Sequence, residues 1–181
     1  GMKIGVGAPG SGTEANFRQL CDIYGLKKDD VKAQYLSFAE SSEQFKDKHI
    51  DAFIVVAGIP NAAIMDISTQ HSVKIINVSD AKAKQLVKKY PFLSAFTIPA
   101  GTYKSITKDV KTVAVNAVLI VNTEVSDDVA YNLVKALFDN QKDLGVAHAK
   151  GKELNLKKAS SGVSIPFHPG AMKYFREKGV L

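Results

Sequence analysis

Ser11, Thr13 and Glu14, set in the run Val6-Gly7-Ala8-Pro9-Gly10-Ser11-Gly12-Thr13-Glu14, are the residues whose types and spacing best suit chemistry with an anion. Ser11 and Glu14 have the S-x-x-E spacing of a capping box: the serine oxygen accepts a backbone N–H, and the glutamate reaches back to the N–H of the capping residue. Gly10 and Gly12 leave room for a ligand to approach the main chain. Exposed N–H groups and the helix dipole favour a carboxylate or a phosphate there. The same spacing also describes a capped turn that binds nothing.

A second reading of the same stretch is a dinucleotide-binding α/β enzyme. Gly5-Val6-Gly7-Ala8-Pro9-Gly10 matches G-x-G-x-x-G, and Glu40 could imitate the acid that holds a ribose. Against it, the first glycine falls inside the expected strand and Pro9 removes an N–H from the cradle. Glu40 also comes later than the usual interval of about twenty residues. His49, His71, His148 and His168 have no short metal-ligand spacing, and the chain lacks a G-x-S-x-G elbow and a lysine-bearing phosphate loop. No metal, cofactor or catalytic set is expected. Cys21, the only cysteine, falls on an inward helical position and reads as a structural thiol.

The elements that must position the turn follow from apolar periodicity. Strands are expected at 4–6, 34–38, 52–56 and 73–78. Helices are expected after Gly12, from Ser41 with Gln44 at capping-box spacing, and after Pro60. This alternation predicts an α/β layer with a largely parallel sheet flanked by helices, whose strand-to-helix turns face the carboxyl edge. Ala57-Gly58-Ile59-Pro60-Asn61 repeats the logic of the first turn, with glycine for close approach and proline near a helix start. Ser79 caps a helix that Pro91 stops. Residues 96–103 read as a strand entering a Pro/Gly hinge or crossover, and 113–121 as a strand buried on both faces. Ser126 opens a helix bearing Val129, Leu133, Val134, Leu137 and Phe138, and Pro169 begins a last one.

The 181 residues suffice for an ordinary core. The net charge of +6 is concentrated late, through Lys142, Lys150, Lys152, Lys157, Lys158, Lys173, Arg176 and Lys178. With little aromatic interleaving these read as a solvated face rather than a nucleic-acid surface.

Taken together, Gly7-Ala8-Pro9-Gly10-Ser11-Gly12-Thr13-Glu14, Asp51-Ala52-Phe53 with Gly58-Ile59-Pro60, Tyr90-Pro91, Ile98-Pro99-Ala100-Gly101-Thr102-Tyr103, and Ile165-Pro166-Phe167-His168-Pro169-Gly170-Ala171 with Tyr174 resemble the TAXI family. These are the extracytoplasmic solute receptors of tripartite ATP-independent periplasmic (TRAP) transporters. The resemblance implies a type II periplasmic-binding-protein fold, in which two α/β lobes close on glutamate, glutamine or a related carboxylate. It also implies a periplasmic location and TRAP membrane subunits as partners. Family members are about twice as long, so residues 3–98 would form the second lobe. Residues 99–181 would be the hinge crossover and the segment returning to the first lobe, leaving a truncated receptor with weakened binding. By the resemblance, Pro9, Ser11, Gly12, Thr13 and Glu14 form the anion cradle, Gly58, Ile59 and Pro60 the neighbouring wall, and Tyr103 lines the cleft. The apolar run 113–121 is expected to be covered by repacking or by a homodimer.

Overall fold

The computed structural model describes the backbone of residues 1–181 and every side chain except that of Lys28. In chain order the elements are β1 (Met2–Gly5), α1 (Gly12–Tyr24), β2 (Val31–Gln34), α2 (Phe38–Lys46), β3 (Ala52–Phe53), α3 (Ala62–Gln70), α4 (Asp80–Lys89), β4 (Leu93–Ile98) and β5 (Val110–Val115). They are followed by α5 (Asp127–Asp139), α6 (Gln141–Ala147) and α7 (Pro169–Glu177). Two compact units result, Gly1–Val115 and Asn116–Leu181.

In the first unit, β1 is the central strand of a parallel sheet ordered β2-β1-β3, with Met2 opposite Val31 and Ile4 opposite both Ala33 and Ala52. This bears out the α/β class and the parallel sheet flanked by helices. The first crossover leads to one side of β1 and the next to the other, so the carboxyl end of β1 is a topological switch point. Helix α1 packs on α4, and α2 packs on α3. Leu20 and Ile23 of α1 meet Val78, Ala83, Leu86, Val87 and Tyr90 around α4, together with Leu93 and Val113. Gly25 ends α1 in the left-handed conformation, and the Leu26 N–H bonds to the Cys21 carbonyl.

Several expected boundaries move, each for a local reason. The second strand occupies 31–34 rather than 34–38, because Ser37 and Glu40 form a reciprocal capping box that starts α2 at Phe38. The Glu40 N–H lies 3.2 Å from Ser37 Oγ and the Ser37 N–H 2.8 Å from Glu40 Oε2. Ser41, expected to open that helix, is instead buried within it. The third strand stops at Phe53, although the Ile54 N–H still donates to the Gly5 carbonyl. The expected strand 73–78 does not form. One main-chain bond, Val78 N–H to Lys111 O, links it to β5, and the Lys111 N–H goes to the side-chain oxygen of Asn77. A side chain has taken the donor that a ladder needs.

Residues 93–98 and 110–115 pair antiparallel, from Leu93 opposite Val115 to Ile98 opposite Val110. The Pro99–Asp109 connection is a compact loop, with the Ala100 N–H on Asp109 Oδ1 and the Gly101 N–H on the Ile106 carbonyl. This pairing keeps β5 in the first unit, which ends at Val115. The apolar run expected as one buried strand through 121 is therefore cut. Its second half, 116–121, is outside any ladder, and Leu119 and Ile120 are 61% and 70% exposed.

In the second unit α5 and α7 pack through Tyr131, Val134 and Phe138 against Ala171, Tyr174 and Phe175, with Leu156, Phe167 and Val180 closing the cluster. Gly170 permits that approach, since a Cβ there would lie 2.0 Å from the Asp127 carbonyl oxygen. His168 caps α7: its Nδ1 accepts the Gly170 N–H at 3.2 Å while its Nε2–H donates to the Val125 carbonyl at 2.9 Å. These partners fix the tautomer.

Candidate functional site

The turn between β1 and α1 is built from the inside outward. Gly7 has φ +87°, and a Cβ on it would fall 2.7 Å from Thr13 Cβ, so Thr13 packs directly beneath the turn. Ser11 is the N-cap of α1, and its Oγ accepts the Glu14 N–H at 3.2 Å as the spacing predicts. Glu14 departs from the expected capping box. Its carboxylate accepts the Gly10 N–H at 2.6 Å, while the Ser11 N–H turns to the Ala8 carbonyl. The other carboxylate oxygen pairs with Arg18 one helical turn on. The Gly10 N–H, then Arg18, holds Glu14 below the usual carboxylate range, and Glu14 correspondingly raises Arg18.

This fixes which groups can meet a ligand. Thr13 and Glu14 are 7% and 6% exposed, so their side chains support the turn. The N–H groups of Gly10, Ser11 and Glu14 are committed to the partners just named. Gly12 and Thr13, the first two residues of α1, carry N–H groups with no partner among the described hydrogen bonds, as expected at a helix start. Pro9 and Gly10 are exposed beside them, and Gly12 has nothing within 4 Å of where a Cβ would stand.

The second turn follows β3, the strand on the other side of the switch point from β2. Gly58 and Pro60 are exposed, Ile59 is half-buried, and the Ile59-Pro60 bond is cis. Asn61 then caps α3, its Oδ1 accepting the N–H groups of Ala63 at 3.0 Å and Ile64 at 3.3 Å. Tyr103 belongs to this turn rather than to an open cleft wall. Its ring is 1% exposed among Ile106, Val110, Ile64, Ile75 and Ile98, and its hydroxyl oxygen accepts the Asn61 N–H at 3.0 Å. Tyr103 thus braces the Gly58–Asn61 turn from below. The residues of each turn come together among themselves, and both turns stand at the carboxyl edge of adjacent strands.

Three contributors escaped the sequence reading. Asn61 had a visible signal, an N-cap residue directly before an apolar helical run. Arg18 is at i+4 from Glu14, a spacing that favours an ion pair. Tyr35, 52% exposed, follows the last residue of β2 at the same sheet edge as the turn, a placement that only the pairing of β1 and β2 creates. The dinucleotide reading loses its parts. Gly5 is closed in by Phe53 Cβ and Ser41 Oγ, each 2.9 Å from where a Cβ would be, and the Gly10 N–H holds Glu14. Glu40, kept below the usual carboxylate range chiefly by the Ser37 N–H, caps α2. Cys21 is half-buried, and burial pushes its thiol up, away from the reactive thiolate.

A parallel α/β sheet flanked by helices, with its capped turns gathered at a switch point, is consistent with a binding-protein-like lobe. Residues 1–179 match the model of the NMT1-like family, and the chain belongs to that family. The family is related to the periplasmic solute-binding proteins. Among the described residues no helix is long and apolar enough to cross a membrane.

Proposed function

We propose that this chain is an extracytoplasmic solute-binding component of a TRAP-type transporter of the TAXI family, and that it takes a small carboxylate or amino acid such as glutamate or glutamine. The observation that carries the reading is the pair of uncommitted N–H groups of Gly12 and Thr13, at the start of a capped helix and at the switch point of the sheet. Family membership supports the solute-binding role. The carboxylate of the ligand bonds to those two amides, the Gly58–Pro60 turn bounds the site on the β3 side, and the ligand is carried to the membrane subunits unchanged. No cofactor takes part and no bond of the ligand is broken.

Gly12→Pro tests the site with little disturbance. Gly12 is the first helical residue, where proline is well tolerated, and Ser11 before it already has the extended backbone (φ −73°, ψ 158°) that proline requires. The substitution removes one donor from the ligand. Calorimetric titration with glutamate and glutamine should show saturable binding to the unaltered chain and a loss of about tenfold for Gly12→Pro, the weight of one hydrogen bond to a charged group. NAD should not bind. Equal affinity of the two chains for glutamate would remove the cradle, and NAD binding that Glu40→Ala abolishes would restore the dinucleotide reading.

A further inference from the structure

We infer that His168 is a proton-operated joint between α5 and α7: the neutral ring caps α7, and the ring that has taken up a proton passes its Nδ1 from the Gly170 N–H to the Asp127 carboxylate. One side of the ring is anchored in both states. Its Nε2–H donates to the Val125 carbonyl at 2.9 Å, and this neutral tautomer and the charged imidazolium both carry that hydrogen. The other side changes. Neutral Nδ1 accepts the Gly170 N–H at 3.2 Å, whereas a protonated Nδ1 is a donor only, so the cap is lost. Asp127 Oδ1, on the first residue of α5, already stands 3.7 Å from the same nitrogen. A single atom thus lies between a donor on one helix and an acceptor on the other, and its proton decides which it holds. The His168 side chain is 11% exposed and that of Asp127 67%, so the ring stays in place and the carboxylate is the partner free to approach.

The exchange has a consequence because Gly170 is buried, with the Asp127 main chain pressed against it. A buried N–H deprived of its acceptor is costly, and the first turn of α7 must move to reach a new one. The other ionisable groups of the two helices are engaged elsewhere. The Tyr131 hydroxyl donates to Glu177 at 2.7 Å, Lys135 pairs with Asp139, and Lys173 and Lys178 lie over the Tyr131 and Tyr174 rings. Arg176 is at the far end of α7, and Glu124 and Asp128, both exposed, flank the segment 125–127. Histidine is the side chain whose charge changes near neutral pH, which suits it to this exchange.

Two NMR observations on the full chain, isotope-labelled in nitrogen and carbon, test the joint as the pH is lowered from about 8 to about 5. The Gly170 amide signal should move with the same midpoint as the His168 ring signals. Below that midpoint its protection against hydrogen exchange, corrected for the intrinsic rate, should fall about fivefold, the weight of one helix cap. The Asp127 carboxyl carbon, assigned by its disappearance in Asp127→Asn, should move with that midpoint as well. His168→Asn separates the ring from other titrating groups. Asparagine keeps an N-cap acceptor and has no proton to take up, so the Gly170 signal should then hold still over the same range. A Gly170 amide that stays put while the ring titrates would overturn the joint, and this is read on the unaltered chain even if the variant fails to fold. Movement of that amide to the same extent in His168→Asn would overturn it too, by assigning the effect to another group. A motionless Asp127 carboxyl carbon would leave the charged ring without its receiver and refute the exchange.

Discussion

At the scale of single residues, the turn after β1 is held by an internal anion. Glu14 occupies the Gly10 N–H much as a ligand carboxylate would, and Arg18 balances its charge. Since these partners lower its pKa, the stabilisation is fully present above the ordinary carboxylate range and is lost as the pH falls through the lowered value. Thermal midpoints measured from pH 7 down to pH 3 should therefore decline more steeply for the unaltered chain than for Glu14→Gln, which starts lower and has no proton to take up. Parallel curves would show that the Glu14 pair contributes nothing to folding. Gly7 makes a stronger demand. Any side chain there meets a positive φ and the Thr13 side chain together, so Gly7→Ala should cost about 2 kcal/mol or more, read from urea midpoints. Ser11 and Glu14 were legible from their spacing alone. That Glu14 would reach Gly10 was not, because capping-box spacing names the donor one residue away.

At the scale of elements, caps set where helices begin more firmly than hydrophobic periodicity does. The expected start at Ser41 gave way to Ser37 because only the earlier pair, Ser37 with Glu40, satisfies two helix-end donors reciprocally. The helix after Gly12, the one capped by Ser79 and the one capped by Ser126 were all readable, each with a hydroxyl residue before an amphipathic run. The strand at 73–78 was not readable as a failure. Its β-branched pattern fits a strand, but the Asn77 side chain competes for the Lys111 N–H, and such competition is invisible until the partner is known. Asn61 is the cap on which the second turn of the candidate site depends. Asn61→Ala should lose about 1 kcal/mol of stability in a urea titration, by freeing the N–H groups of Ala63 and Ile64. Tyr103→Phe removes the acceptor of the Asn61 N–H while leaving the buried ring in place, and should cost a similar amount. If both changes were neutral, the Gly58–Asn61 turn would hold its shape by packing alone.

At the scale of the whole molecule, the α/β class was legible because the apolar runs alternate with capped helices, and the parallel order followed from connections long enough to cross the sheet. The fate of the run 113–121 was not legible. Eight apolar residues interrupted only by Asn116 look like one strand, yet hydrogen bonding divides them after Val115, and composition says nothing about where a partner strand ends. What remains, Ala117-Val118-Leu119-Ile120-Val121 between Asn116 and Asn122, bears no charge and no proline, and none of its main-chain groups has a partner among the described hydrogen bonds. An uncharged, unpaired stretch of this kind is a template for pairing with another chain, and nothing within it repels a second copy. We propose that two copies of this chain pair antiparallel through 116–121 about a two-fold axis, which makes the contact self-complementary and closed. Light scattering on the purified chain should report a dimer, with the monomer fraction growing on dilution. Val118→Lys would put two like charges near the axis and should shift the protein to monomer, whereas Val146→Lys, at an exposed position on α6, should leave the dimer intact. A stable monomer at every concentration would rule out self-pairing as the cover for this stretch.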